Sequence, residues 1–349
     1  MRITNNMMIA STVRNINNAA IRLNEANERM SSQQKISLPS DDPVIATRAV
    51  KYRNYVATIA QYQKNVDNVS SWQKVTDDAL SDLSDVIEQV RTLTVQASSD
   101  TLSDSNLAAI QTEISQLREQ AIEIMNTTYG GRYVFGGFST GEAPYELVST
   151  DIGEVVTFKG QYLALGGVVS SEVDDSDISD FYTANAANVY QTAGAQSIKY
   201  NIGYDAEITV NIEGQDVIGE AAGDNLFDTF AKLLLALDGE TSYKSYDAAT
   251  GTATTVAIDD IDDLLTDLDN DLERLTTTQA TLGARMKYVN SVSDRLDNDY
   301  TTYSTLMSEN EDVDTALAST EAASAEYVYE ASLAVGAKAI SKTLVDYIA

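Results

Sequence analysis

Apolar and aromatic residues recur on a seven-residue period along positions 52–97: Tyr52, Tyr55, Ile59, Tyr62, Val66, Val69, then Gln73 and Thr76, then Leu80, Leu83, Ile87, Val90, Thr94 and Ala97. Eleven of these fourteen positions are apolar or aromatic, which is too regular for a loop or a strand. With Pro43 as its start, a helix to Ala97 is on the order of 80 Å long at 1.5 Å per residue. A rod of that length has to lie beside other rods.

The same pattern returns twice. Leu107, Ile110, Ile114, Leu117, Ala121 and Ile124 predict a second helix, joined to the first through the turn-forming run 98–105. Ile261, Leu265, Leu268, Leu272, Leu275, Gln279, Leu282, Met286 and Val289 make a C-terminal seam. A three-residue step to Val292 then predicts a register shift before Leu296, Tyr303, Leu306, Val313 and Leu317.

Both ends read as amphipathic. Ile9, Val13, Ile16, Ala20, Leu23, Asn27 and Met30 form a narrow stripe in an asparagine-rich segment. Alone in water that arm is marginal, and it is expected to order only against a partner. The last stretch, 327–348, is alanine-rich, with Leu333, Val335, Ile340, Leu344 and Ile348 as its apolar residues. Between the arm and the rod, Pro39, Asp41, Asp42 and Pro43 predict a fixed elbow, with Asp42 as N-cap and Pro43 at the first helical position.

The middle has another texture. Strand-length runs at 154–158, 162–169, 197–204 and 207–212 are separated by Gly and Asp clusters. One helix, Leu226 to Leu237, interrupts them, capped by Asp224 or Asn225. The expected fold class is mainly α with an α+β insert: a long antiparallel coiled-coil rod from the N- and C-terminal helices, plus an outward β-rich domain. The expected boundaries are 1–40 for a terminal arm disordered in the monomer, 41–131 and 258–305 for the rod, 132–257 for the insert, and 306–349 for a C-terminal assembly helix.

Charge and composition narrow the function. The net charge is −30, yet residues 1–64 carry nine Lys and Arg against four Asp and Glu. The rest is strongly acidic, so nucleic acid is an unsuitable partner. Cysteine and histidine are absent, which removes disulfides, thiolate nucleophiles, the usual zinc sites and histidine acid–base schemes. No membrane partner is expected, because no apolar stretch approaches the length of a span. The start lacks the pattern of a cleaved leader, and export by another route is expected. Asp267, Asp269 and Asp271 have the spacing of an EF-hand start, but Leu272 and Thr278 stand where that loop needs glycine and glutamate. They are read as a solvated helix face. Positions 172–177 are read as a plain acidic loop, Trp72 as a packing residue, and the chain as a building block rather than a catalyst, with no cofactor.

Several motifs, in order, resemble the flagellin superfamily, and within it the hook-associated protein 3 branch. They are MRITN at the start, SLPSDDP at 37–43, GRYVFGG at 131–137, LMSENEDVD at 306–314, ASLAVGA at 331–337 and LVDYI at 344–348. The resemblance covers roughly 1–140 and 260–349. It departs at Gln33-Gln34-Lys35, where the family often has glycine before the lysine. The resemblance implies a structural subunit joining hook to filament at the bacterial flagellum, outside the cell, exported without a cleaved leader. Its implied partners are other copies of itself, hook-associated protein 1, flagellin, and an export chaperone at the C-terminal helix. The implied assembly interface comprises Ile9, Val13, Ile16, Leu23, Leu306, Val313, Leu317, Leu333, Val335, Ile340, Leu344 and Tyr347. A filament flagellin is the nearest alternative. A second is that residues 140–256 act as an adhesin or carbohydrate reader.

Overall fold

The computed structural model describes residues 5–98, 103–163, 167–188, 196–219, 225–247, 250–258 and 261–340. In chain order the elements begin with the helices α1 (Asn5–Ser32), α2 (Pro43–Ala97) and α3 (Asp104–Met125). The middle holds the short pair β1 (Thr128–Tyr129) and β2 (Arg132–Tyr133), then β3 (Tyr145–Thr150), β4 (Gly153–Phe158), β5 (Gln161–Tyr162) and β6 (Val169–Ser170). It continues with α4 (Asp175–Asn185), β7 (Lys199–Gly203), β8 (Ala206–Thr209), α5 (Gly214–Ile218), α6 (Leu226–Leu237), β9 (Ser242–Asp247) and β10 (Thr252–Ala257). The long α7 (Ile261–Glu311) and α8 (Thr315–Ile340) close the described chain. The fold is mainly helical, with long N- and C-terminal helices and a small β-sheet region between them.

The chain divides into two compact units. One is built from Met1–Gln61 and Arg295–Ala349, the other from Tyr62–Asp294. The break between the last two helices falls at Asp312-Val313-Asp314, later in the chain than the expected boundary at 305/306.

The period-seven series of α2 is its buried face. Leu80, Leu83, Ile87 and Val90 are sealed from solvent, and so are Gln73, Thr76 and Thr94 on the same line. The threonines are tolerated because each hydroxyl donates to a carbonyl one turn back: Thr76 to Trp72 at 2.9 Å and Thr94 to Val90 at 2.8 Å. Gln73 has no such outlet, and neither end of its amide is hydrogen-bonded among the described residues. Trp72 packs edge-on against Tyr129, with ring centroids 5.9 Å apart.

In α7 the expected register shift does not occur. Leu268, Leu275, Leu282, Val289 and Leu296 are all buried, so the period of seven runs unbroken through Val292. The alternate inward line is partly polar, which disguised it in the sequence. Asp271, Thr278 and Arg285 lie on that line and hold the insert. Asp271 accepts from Thr229 at 2.9 Å, Thr278 donates to the Asp216 carbonyl at 3.0 Å, and Arg285 donates to the Asn211 carbonyl at 3.2 Å.

The acidic triplet on α7 is a solvated face only in part, for Asp269 is exposed, Asp267 half-buried and Asp271 buried. Asp267 pairs with Lys232 at 3.1 Å, Asp269 with Arg91 at 2.7 Å and Asp271 with Arg274 at 2.7 Å. Burial pulls the Lys232 ammonium down most strongly of any single cause, but the hydrogen bond to Asp267 and the nearby charges of Asp267, Tyr243 and Asp228 together outweigh it and leave the group above its ordinary range. The register across the second unit is antiparallel: Arg91 meets Asp269, and ten residues earlier Ser81 meets Gln279, ten residues later.

The insert contains two three-stranded antiparallel sheets, ordered β3-β4-β5 and β10-β9-β6, and the β7-β8 hairpin. Lys159 and Gly160, both at positive φ, turn β4 into β5. Helix α6 matches its expected bounds, and Asn225 caps it by accepting from the Asp228 amide at 2.9 Å. Its Phe230 and Leu233 join Leu80, Ile114, Phe135, Tyr145 and Leu268 in one core. Two expectations need correction. The run 162–169 is not a continuous strand, since only Gln161–Tyr162 and Val169–Ser170 are strands among its described residues. The acidic stretch at 172–177 leads into α4, where Asp175 and Asp177 occupy the first turn and oppose the positive end of the helix.

Candidate assembly interface at the paired terminal helices

Helices α1 and α8 lie against each other, antiparallel. Gly336 meets Ile16 and Thr12, while Arg29 and Glu321 approach to 4.0 Å nearer the other end. The inward line of α8 is Ala318, Ala322, Ala325, Tyr329, Ser332 and Gly336, spaced four and three, with Ala318, Ala322 and Gly336 buried. The facing line of α1 is Ile9, Thr12, Ile16, Ala19, Leu23 and Ala26. Small side chains let the two backbones approach closely. The helix α1 has α8 as its intrachain partner, because α8 supplies a seam of small residues that admits it.

The residues of α8 expected in the assembly interface lie outside that seam. Leu317, Leu333 and Val335 are not buried against α1; they are 57%, 43% and 62% exposed. On α1, Ile9, Ile16 and Leu23 lie half-buried in the seam, whereas Val13 is 44% exposed. Leu306 and Val313 are half-buried. The Ile340 side chain, Leu344, Tyr347 and Ile348 lie outside the described residues. The seam alanines are spaced four and three in the sequence, but a stripe of alanine carries little hydrophobic contrast.

The elbow is a built structure. Asp42 accepts from the amides of Val44 at 2.9 Å and Ile45 at 3.1 Å, which caps α2 one residue before Pro43. Asp41 accepts from Leu38 at 2.9 Å and Ser37 at 3.3 Å, and the Leu38 amide is the main reason its carboxyl is held below the usual range. Pro39 is exposed beside this turn. Sequence reasoning missed what the elbow fastens to. Gln34 and Asp312 form an antiparallel bridge, Lys35 donates its amide to the Glu311 carbonyl at 2.7 Å, and Val313 donates to the Gln33 carbonyl at 2.9 Å. Asn310 donates to the Ile45 carbonyl at 3.1 Å, and the Arg53 guanidinium pairs with the buried Glu311 carboxylate, its Nε at 3.0 Å. That bond is the main cause of a raised Arg53 pKa. Tyr55 and Tyr303 pack with ring centroids 5.1 Å apart. On the far side of the break, Asp314 caps α8 through Ala316 at 2.9 Å. The elbow and the helix break are one clasp.

The clasp requires Gln33 at φ 58°, the left-handed region. The departure from glycine at this position therefore leaves the bend intact, at a backbone cost.

A clasped pair of terminal helices in one unit, and long helices with an inserted sheet region in the other, make an architecture that can be compared directly. The profile of the bacterial flagellin N-terminal helical region matches residues 3–140, and that of the C-terminal helical region matches residues 265–348. The chain belongs to the flagellin family. Among curated relatives, flagellar hook-associated protein 3 of Escherichia coli (strain K12) is 34% identical over 190 residues, covering 53% of this chain and 59% of that protein. Phase 1 flagellin of Salmonella naestved is 27% identical over 268 residues, covering 73% of this chain and 51% of that protein. The chain spans about half the length of the curated relatives it matches. The crystal structure of flagellar hook-associated protein 3 from Legionella pneumophila shares the fold, with a TM-score of 0.53 at 13% identity over 74% of this chain and 97% of that one. The flagellar junction protein FlgL from the same organism gives 0.51 at 15% identity, over 76% and 100%. In this flagellin-family member the matched regions hold α1, α2 and α3 on one side and α7 and α8 on the other, and the insert lies between them. Among the described residues no helix is long and apolar enough to cross a membrane.

Proposed function

We propose that this chain is a structural subunit of the bacterial flagellum that joins the hook-associated zone to the filament, and that it acts by helical polymerisation rather than catalysis. The observation that carries the reading is the pairing of two facts. Both flagellin terminal regions match, and the helix pair formed from those regions turns Leu317, Leu333 and Val335 outward. Apolar side chains presented on a paired, small-residue scaffold are surface awaiting burial, at roughly 25 cal/mol per Å². Val13, Leu317, Leu333 and Val335, together with Ile340, Leu344 and Tyr347, would then meet neighbouring subunits. Ile9, Ile16 and Leu23 hold the pair, and Leu306 and Val313 lie beside the clasp.

The partners that follow are other copies of this chain, hook-associated protein 1 on one side and flagellin on the other. An export chaperone guards the C-terminal helix before export. Neither nucleic acid nor membrane has a role. The reading favours 1–40 and 306–349 as assembly segments and 132–257 as an outward insert. Deleting the gene tests it: hooks without filaments, with flagellin lost to the medium, are expected.

A filament flagellin is the second reading, supported by the longer span of this chain that the Salmonella flagellin covers. Near-normal filaments in the deletion strain, or labelled protein along the filament instead of one narrow zone, would favour it.

A further inference from the structure

The α1–α8 pair has two unlike faces. Residues advance about 100° around an α-helix. Measured from the Ala318–Gly336 line, Leu317, Val328 and Val335 project to one side of α8, while Glu326, Glu330 and Leu333 project to the other. Measured from the Ile9–Ile16–Leu23 line, Arg22 and Arg29 project to one side of α1, and Val13 to the other. In an antiparallel pair of right-handed helices, equal rotations from the seam fall on the same face. The 4.0 Å approach of Arg29 to Glu321, which stands on the Leu317 side, marks which faces coincide. One face thus carries Arg22 among Leu317, Val328 and Val335. The opposite face carries Glu326 and Glu330 beside Val13 and Leu333.

All of these side chains are exposed, and among the described residues Arg22, Glu326 and Glu330 have no ion-pair partner. Arg22 and Glu330 nevertheless stand at the same level along the pair. Six residues on from Ile16 is Arg22, and six back from Gly336, which touches Ile16, is Glu330. They stay apart because they lie on opposite faces.

We propose that the occupant of each face is the other face of a second copy. Arg22 of one copy meets Glu326 and Glu330 of the next, while Val328 and Val335, the apolar side chains at that level, cover Val13 and Leu333. This rests on the reading of the chain as a polymerising subunit and specifies its contact. A face that fits a different face of the next copy is a heterologous contact, which propagates instead of closing into a dimer. The apolar side chains supply affinity, and the charges set orientation and encounter rate. An axial slip of up to one turn still leaves Arg22 opposite a glutamate, because Glu326 and Glu330 are one turn apart.

The test is charge exchange in the full chain, expressed in the deletion strain, with retention in isolated flagella compared with loss to the medium. Arg22→Glu makes both faces acidic, and Glu326→Arg with Glu330→Arg makes both basic. Each is expected to lower retention at least about tenfold, since like charges then face each other. The two variants expressed together should be retained by alternating. The triple exchange in one chain should be retained by itself. Retention of Arg22→Glu at the wild-type level, or no rescue in the mixture, would overturn the contact while leaving the junction reading intact. Failure of the wild-type chain to restore filaments would strike the junction reading instead. Circular dichroism of each secreted variant separates misfolding from lost contact.

Discussion

A Cβ placed on Gly336 would lie 2.8 Å from Ile16 Cδ1, so glycine at this point of α8 gives the Ile16 side chain its room in the seam. A larger side chain forces either a new Ile16 rotamer or a wider separation. Gly336→Val should weaken the α1–α8 pair by about 1–3 kcal/mol, the usual cost of overpacking. Faster hydrogen exchange confined to α1 and α8 is expected. Protection equal to wild type in both helices would contradict the seam.

Two apolar positions grouped together by the sequence separate in the structure. Ile16→Asp places a charge in the seam and should open the pair itself. Leu333→Asp, on an exposed site, should leave the pair folded and still block incorporation. Comparing helix protection with flagellar retention distinguishes the two. Identical behaviour of both variants would count against an outward role for Leu333.

Gln33 holds its left-handed backbone at the clasp, where a side chain costs about 1–2 kcal/mol that glycine does not incur. Gln33→Gly also loosens the unfolded chain, which returns part of this gain. A net stabilisation of the first unit by about 0.5–1 kcal/mol is expected, read as a raised midpoint in denaturant. A lowered midpoint would show that the Gln33 side chain makes a contact that outweighs the strain.

The Arg53–Glu311 pair fixes the clasp with one partner buried and the other half in solvent. Arg53→Met should leave the Glu311 carboxylate without its cation. The cost is about 1–2 kcal/mol after allowing for screening of the exposed guanidinium. The expected readout is local, as faster exchange at the Lys35 and Val313 amides. Unchanged exchange at both would remove the pair from the clasp.

Acid should loosen the insert at Glu240. Burial raises its pKa, but the Ser170 and Ser171 hydroxyls and the Ser171 amide, each donating to the carboxylate, outweigh burial and leave it lowered. A depressed carboxylate contributes stability above its unfolded pKa, about 4.3, and loses it as pH falls through the lower folded value. Glu240→Gln should therefore flatten the acid limb of the insert's unfolding curve. An unaltered acid limb would sink the assignment.

The long helices were legible in the sequence because their contacts are periodic. The positions of α2 from Ile59 to Ala97 reappear as its buried face, polar members included, and only Tyr55 of the expected seam is exposed. The end signals were local and readable in the same way: Asp42 before Pro43, and Asn225 before α6. What periodicity could not reveal was which partner each face meets. On α7 the line of Asp271, Thr278 and Arg285 looked like an interruption because its partners are backbone and side chains of the insert, up to 74 residues away in sequence.

The sequence by itself determined the helices, the proline elbow and the basic and acidic ends, since each rests on propensities and spacings within a few turns of chain. Only the tertiary structure decided that α8 would face α1 with alanine and glycine, and not with its leucines and valines. The physical reason is distance. Two backbones can approach closely only where side chains are small, and that approach leaves the large apolar residues Leu317, Leu333 and Val335 of α8 on the outside of the pair.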